Sequence, residues 1–299
     1  MINKKYFFIG IGGIGMSSIA QYLYEKGNTI LGYDASKNRS VKILVKKGVE
    51  VINKLSLERI PDYMKEEDVI VVYTPAIPDD NIFLKYFRSN GNNPIFKRSE
   101  ILGEISKQSK CIAVAGTHGK TTTTAIISHL FHSSGIHFKA FIGGIMKCFD
   151  SNYINTGNDY IIVEADEYDR SFLNLNANYA VITSIENDHL DIYGDFKSLT
   201  ESFQSFANNV KDVLITDAEI NLNKDFSFSI KNDSDYYVNN IDILENEIRF
   251  DLKTPNNFYS NISANIIGLH NLKNVLAALS IIDQIKEIED DSQIAIYYC

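Results

Sequence analysis

The sequence contains no tryptophan, only 3 cysteines, and no apolar run long enough to cross a bilayer. Cys111, Cys148 and Cys299 are odd in number and lack metal-ligand spacing, which argues against a disulfide framework and for a reducing, cytoplasmic setting. Positive charge is also short. Lys and Arg number 29 against 38 Asp and Glu, and no basic block offsets the formal charge of -9, so neither a nucleic-acid surface nor a membrane partner is expected. The opening M-I-N-K-K-Y-F-F places lysines before an apolar stretch, as a secretory leader would, but glycines at fixed spacing interrupt it. The missing tryptophan and the abundance of Asn, Lys and Ile carry no functional meaning.

What is present is ordinary globular material, 299 residues with 44% hydrophobic, enough for two domains with separate cores. Residues 5 to 34 predict strand, glycine turn, helix and strand, with Gly27 ending the helix. A strand at Val69 to Tyr73 runs into T-P-A-I-P-D-D-N, where prolines begin a loop. The polar stretch 103 to 110 reads as a linker. The pattern then restarts with a strand at 111 to 115, a glycine turn and a helix over about Thr121 to Phe131, followed by buried strands at 160–163, 179–183 and 213–216. Residues 219 to 266 suggest small antiparallel strands, and Leu272, Val275, Leu276, Leu279 and Ile282 mark one face of an amphipathic helix. The expected fold class is α/β: a Rossmann-like N-terminal domain over 1–107, then a P-loop ATPase-like domain over 108–299 with a mostly parallel sheet.

The turn G-T-H-G-K-T, residues 116 to 121, leads into a helix whose first-turn N–H groups lack intrahelical partners and carry the positive end of its dipole. Gly116, Thr117, His118, Gly119 and Thr122 would line an anion cradle. Lys120 would serve β- and γ-phosphates, and the Thr121 hydroxyl a Mg²⁺ ion. The following threonines could bond phosphate or cap the turn. A strict P-loop has a further glycine where this chain has Val114, so the motif is a variant, and a threonine-rich helix cap is the plain alternative. The earlier loop has Gly10, Gly12 and Gly15 in G-x-G-x-x-G spacing, with Asp34 closing the next strand. It can hold a pyrophosphate, of a nicotinamide cofactor or of a sugar nucleotide, or it can be a tight packing turn. An ATP loop in the same chain favours the sugar nucleotide.

Glu164 ends a buried strand, where parallel sheets present ligand-binding groups, and is placed to hold Mg²⁺ beside Thr121. Asp166, Glu167 and Asp169 read as solvated loop acids. His189, past the next strand, reaches the same edge, whereas His129, His132 and His137 read as surface or packing residues. Asn271 could be a helix N-cap, or with His270 and Asn274 could meet a purine edge.

Together, G-I-G-G-I-G-M-S, T-P-A-I-P-D-D-N, A-G-T-H-G-K-T-T-T-T, E-A-D-E-Y-D-R-S-F-L, T-S-I-E-N-D-H-L-D-I-Y and G-L-H-N-L-K-N-V-L-A-A resemble the Mur ligases of peptidoglycan synthesis, in family order over residues 7 to about 280. The resemblance, nearest to the alanine-adding branch, implies an ATP-dependent carboxylate–amine ligase acting on UDP-N-acetylmuramate and L-alanine. It implies that Gly12, Gly13, Ile14, Gly15, Met16, Ser17, Asp34 and Thr74 bind the UDP substrate. ATP would lie on Gly116 to Thr122 with adenine at His270, Asn271 and Asn274, and Mg²⁺ on Thr121, Glu164 and His189. Lys120, Glu164 and His189 would be catalytic. Tyr33 stands where the family has serine. The family also carries a third, C-terminal domain that this chain does not reach, which leaves a truncated remnant without ligase activity, or a separate polypeptide supplying that domain, as expectations. The sibling ligase that recycles murein tripeptide is a further alternative.

Overall fold

The computed structural model describes residues 3–188, 190–231 and 233–285, and the backbone of 295–297. The chain divides into two compact units, one of Met1–Ile105 with Phe141–Ile154, the other of Ser106–Ala140 with Asn155–Cys299.

The first unit winds through β1 (Lys5–Ile9), α1 (Ile14–Glu25), β2 (Thr29–Tyr33), α2 (Arg39–Lys46), β3 (Glu50–Ile52), β4 (Ile70–Tyr73), α3 (Ile82–Ser89), β5 (Ile95–Lys97) and α4 (Arg98–Ser106). The five strands are parallel in the order β3-β2-β1-β4-β5. β1 is the oldest strand in sequence yet central in space, so the chain winds outward from it in both directions. The loops after β1 and β4 therefore face one another at the reversal of strand order, where doubly wound sheets bind ligands. Both faces of the sheet are covered, and its interior strands are correspondingly near-continuous apolar runs. One core joins Phe7, Ile9, Leu31, Val71, Phe83 and Phe87, with Phe7 meeting Phe83 edge-on at 5.4 Å between ring centres.

The second unit holds β6 (Lys110–Ala115), α5 (Lys120–Ser133), the start of β7 (Phe138–Met146), the end of β8 (Ser151–Asn155), β9 (Tyr160–Glu164), β10 (Tyr179–Ile182), α6 (Leu190–Tyr193), α7 (Phe196–Asn208), β11 (Val213–Asp217), β12 (Phe226–Ser229), β13 (Tyr236–Ile243), β14 (Ile248–Lys253), β15 (Phe258–Asn265), α8 (Leu269–Ile285) and β16 (Ala295–Tyr297). β6 lies between β9 and β10, and these with β11, β12 and β13 are parallel; β13, β14 and β15 form the antiparallel meander expected between 219 and 266.

Three expectations are corrected. Residues 103–106 are not a linker but the last turn of α4, with Ile105 fully buried. The helix α8 is not amphipathic beyond its first turn: Ala277, Ala278, Ser280 and Ile281 are buried as well, because it packs against α5 on one side and β10 to β13 on the other. The strands β7 and β8 were not anticipated, since the glycine pair in F-K-A-F-I-G-G-I-M hides the strand period. The chain passes into the first unit within β7 and covers α1, where Gln21 Nε2 donates to Asn152 Oδ1 at 2.9 Å and Tyr22 packs on Phe141 and Tyr153.

Candidate functional site

Strand register assembles the site in the second unit. Val114 pairs with Glu164 across β6 and β9, and Ala115 with Ile182 across β6 and β10. Whatever follows these three strands must therefore emerge side by side: the glycine turn, the acidic run after β9, and Thr183–Ser184 after β10. The turn is pinned by its neighbour, with Thr117 N–H donating to Ser184 O at 3.0 Å and His118 N–H to Ser184 Oγ at 3.0 Å. Gly116 has φ +131°, and a Cβ there would collide with Thr183 Oγ1 and come within 2.9 Å of Ser184 N. Gly119, the N-cap of α5, has φ +84°, and a Cβ would strike the Asn274 amide oxygen. With Gly119 as N-cap and no side chain capping the helix, the first-turn N–H groups of α5 have no intrahelical partners, which is the form of an anion cradle.

Lys120 folds over that cradle. Its Nζ donates to Gly116 O at 2.6 Å and Thr117 O at 3.3 Å, and stands 2.9 Å from Glu167. Thr121 Oγ1 donates to Glu164 Oε1 at 3.0 Å. A hydroxyl and a carboxylate are the hard oxygen donors that suit magnesium, which characteristically completes its shell with substrate phosphates and water. The pair fits that ion. No set of three His, Cys, Asp or Glu side chains able to hold a metal occurs among the described residues. His189 lies outside the described residues. Thr122 is half-buried, but Thr123 and Thr124 are fully buried, and Thr124 Oγ1 bonds back to Lys120 O at 2.8 Å, so these two pack inside the helix rather than meet phosphate.

His118 keeps its imidazole exposed, with Nε2 3.6 Å from Glu186. Asn271 is not an N-cap. It is the third residue of α8, and its amide donates to Ile267 O at 2.9 Å. Its Oδ1 accepts from Asn274 Nδ2 at 3.5 Å, and Asn274 in turn lies against Gly119, while the exposed His270 ring lies against Gly268. A cavity of about 330 Å³ opens beside Ser184, lined also by Phe196, Leu222, Glu186 and the buried Asp217, which pairs with Lys273 at 2.9 Å.

Sequence inspection missed Glu167. Its side chain is 0% exposed, not a solvated loop acid, and it carries the Lys120 ion pair. It sits at the head of a 3-10 turn, Tyr168–Asn174, in which Asp169 and Arg170 adopt left-handed backbone angles, a strained arrangement held by Tyr193 Oη donating to Glu167 O at 2.5 Å and by Phe172 stacked on Phe206. Nothing in the spacing of E-A-D-E-Y-D separates Glu167 from Asp166.

In the first unit the glycine loop is fixed by its own chain. Tyr33 O accepts from Gly10 N–H at 2.8 Å and Ile11 N–H at 3.0 Å; its ring packs on Phe83. Asp34 Oδ2 accepts from Gly12 N–H at 2.7 Å and Oδ1 from Ser36 N–H at 2.9 Å. Gly13 caps α1, Ile14 and Gly15 begin it, and Thr74 stands beside Gly10 across the strand-order reversal. Met16 and Ser17 turn inward, with Ser17 Oγ donating to Ile14 O at 2.9 Å. Arg98, from α4, lays its guanidinium across Gly15, another residue the sequence did not single out.

Two family models match this architecture: "Mur ligase family, catalytic domain" over residues 5–110 and "Mur ligase middle domain" over 114–282. The chain belongs to the Mur ligase family. A curated relative from Christiangramia forsetii, UDP-N-acetylmuramate–L-alanine ligase, is 43% identical over 93% of this chain and 62% of its own length. A solved UDP-N-acetylmuramate–alanine ligase, MurC from Thermotoga maritima, matches with a TM-score of 0.86 at 29% identity, covering 95% of this chain and 66% of that one. A ligase from Neisseria meningitides for L-alanyl-γ-D-glutamyl-meso-diaminopimelate shares the fold at a TM-score of 0.83 and 20% identity, covering 95% and 94%. The Mur ligase chain described here thus spans about 62% of the length of the curated relative it matches. No helix among the described residues is long and apolar enough to cross a membrane.

Proposed function

We propose that this Mur ligase chain carries the UDP-substrate and ATP domains, residues 1–107 and 108–299, of an ATP-dependent cytoplasmic ligase joining L-alanine to UDP-N-acetylmuramate. The observation that supports it most is the convergence of Lys120, Thr121 and Glu164 on one glycine turn. When bound, ATP supplies a γ-phosphoryl group that turns the muramate carboxylate into an acyl phosphate, the L-alanine amine displaces phosphate to form the amide, and Mg²⁺ offsets the phosphate charge.

The chain's own part is binding and placement. The turn Gly116 to Thr122 holds phosphate oxygens on the N–H groups of Gly119 to Thr122, those of Thr117 and His118 being bonded to Ser184, and Lys120 adds a charge where negative charge grows during transfer. Thr121, Glu164 and His189 hold the ion. Asn271 and Asn274 sit where an adenine edge would pass, with His270 and His118 at the rim, and the cavity beside Ser184 gives the nucleoside end room. In the first unit, the N–H groups of Ile14, Gly15 and Met16 at the start of α1 and the Arg98 cation meet the diphosphate, Gly12, Gly13 and Ser17 shape the turn through their own bonds, and Asp34 and Thr74 frame the loop. No side-chain nucleophile is required.

Curated relatives named for alanine addition, at 36 to 43% identity, favour L-alanine over murein tripeptide. The test is phosphate release with ATP, UDP-N-acetylmuramate and L-alanine, alone and with a polypeptide carrying the relatives' remaining portion. Release that needs all three substrates supports the ligase. Release absent in both settings, at the Lys120→Ala background, supports a nucleotide-binding remnant instead, and release with tripeptide but not alanine supports the sibling enzyme.

A further inference from the structure

We infer that Glu167 is a positioning residue of the nucleotide site: its carboxylate is the resident acceptor on Lys120 that an incoming triphosphate displaces. This rests on the nucleotide role proposed for the second unit.

The argument is a count of donors. An ammonium has three N–H groups. In Lys120 they face Gly116 O, Thr117 O and the Glu167 carboxylate, with both Glu167 oxygens 2.9 Å from Nζ. The cation has no donor left for phosphate. Two of its acceptors are backbone carbonyls of the turn itself, held by the bonds to Ser184 and Thr183, and these cannot withdraw without dismantling the cradle. Only Glu167 is a side chain that can rotate away. Its carboxylate is moreover the chemical likeness of what should replace it, an anionic oxygen pair.

Burial explains why a carboxylate does this. Lys120 is 14% exposed and Glu167 0% exposed, so an unpaired ammonium in the empty turn would be costly. The carboxylate holds it over the cradle at the correct end of α5 until phosphate arrives. The exchange then taxes nucleotide affinity, since phosphate must break a charge-assisted bond in order to make one.

The test uses the full chain and a nonhydrolysable ATP analogue with magnesium, titrated by calorimetry. Glu167→Gln leaves a neutral, weaker acceptor, and the analogue should bind about tenfold more tightly than to the parent chain. A residue that merely stabilised the fold would weaken binding on substitution, so unchanged or weaker binding at an unchanged melting temperature overturns the inference. The unsubstituted chain gives an independent check should the variant fold poorly. In a crystal soaked with the analogue, Lys120 should contact phosphate with Glu167 beyond hydrogen-bond reach, and a retained Lys120–Glu167 bond overturns it. Failure of the analogue to bind either chain overturns the nucleotide role itself, and the exchange with it.

Discussion

At the scale of single residues, the site makes sharp demands on three positions. Lys120→Ala removes the only side-chain cation contacting the turn carbonyls Gly116 O and Thr117 O among the described hydrogen bonds, and should cost on the order of 10²–10³-fold in phosphate transfer; a loss under threefold in the three-substrate assay would remove Lys120 from the mechanism. Gly119→Ala must place a Cβ at φ +84° and against Asn274, so both melting temperature and nucleotide affinity should fall, by roughly 1–2 kcal/mol for the backbone strain. Cys111 contributes differently. Burial pushes its thiol from 9.0 up to about 12, so the unfolded chain ionises first and stability attributable to it is full below pH 9 and drains between pH 9 and about 12. Cys111→Ala should therefore lose less stability than the parent on going from pH 8 to pH 10.5 in denaturant melts. In the native protein at pH 8 a thiol reagent should label the exposed Cys148 and spare Cys111.

At the scale of elements, the glycine turns were legible because chemistry dictates residue type there: only glycine admits the backbone of 116 and 119, and lysine and threonine are the side chains that serve phosphate and its ion. Strands β6, β9 and β10 were legible as apolar runs without alternation, the mark of strands buried on both faces. Glu167 was not, because its partners, Lys120 and Tyr193, come from segments 47 and 26 residues away that no local pattern links to it. Arg98 was hidden for the same reason, being brought to Gly15 only by the winding of the first sheet. Phe172 links these facts. It stacks on Phe206 at 4.9 Å and meets Phe203 edge-on at 5.1 Å, fastening the turn that carries Glu167 to α7. Phe172→Ala should destabilise the second unit by about 3–5 kcal/mol. Full stability in a urea melt would show that the turn is held by other means.

At the scale of the whole molecule, a chain of formal charge -9 is proposed to gather two polyanions, a triphosphate and a sugar nucleotide diphosphate. Bulk electrostatics oppose that, so binding must rest on local devices: helix starts, N–H cradles, Lys120, Arg98 and a divalent ion. Nucleotide affinity should accordingly depend steeply on magnesium, which offsets ligand charge where the chain cannot. The central claim, that Lys120, Thr121 and Glu164 form one phosphate-and-magnesium site, is tested most directly by crystals grown with a nonhydrolysable ATP analogue and magnesium. The account predicts the terminal phosphates on residues 116 to 122, Lys120 in contact with them, and the ion bound to Thr121 and Glu164. Analogue bound elsewhere, or an ion that avoids Glu164, would contradict it.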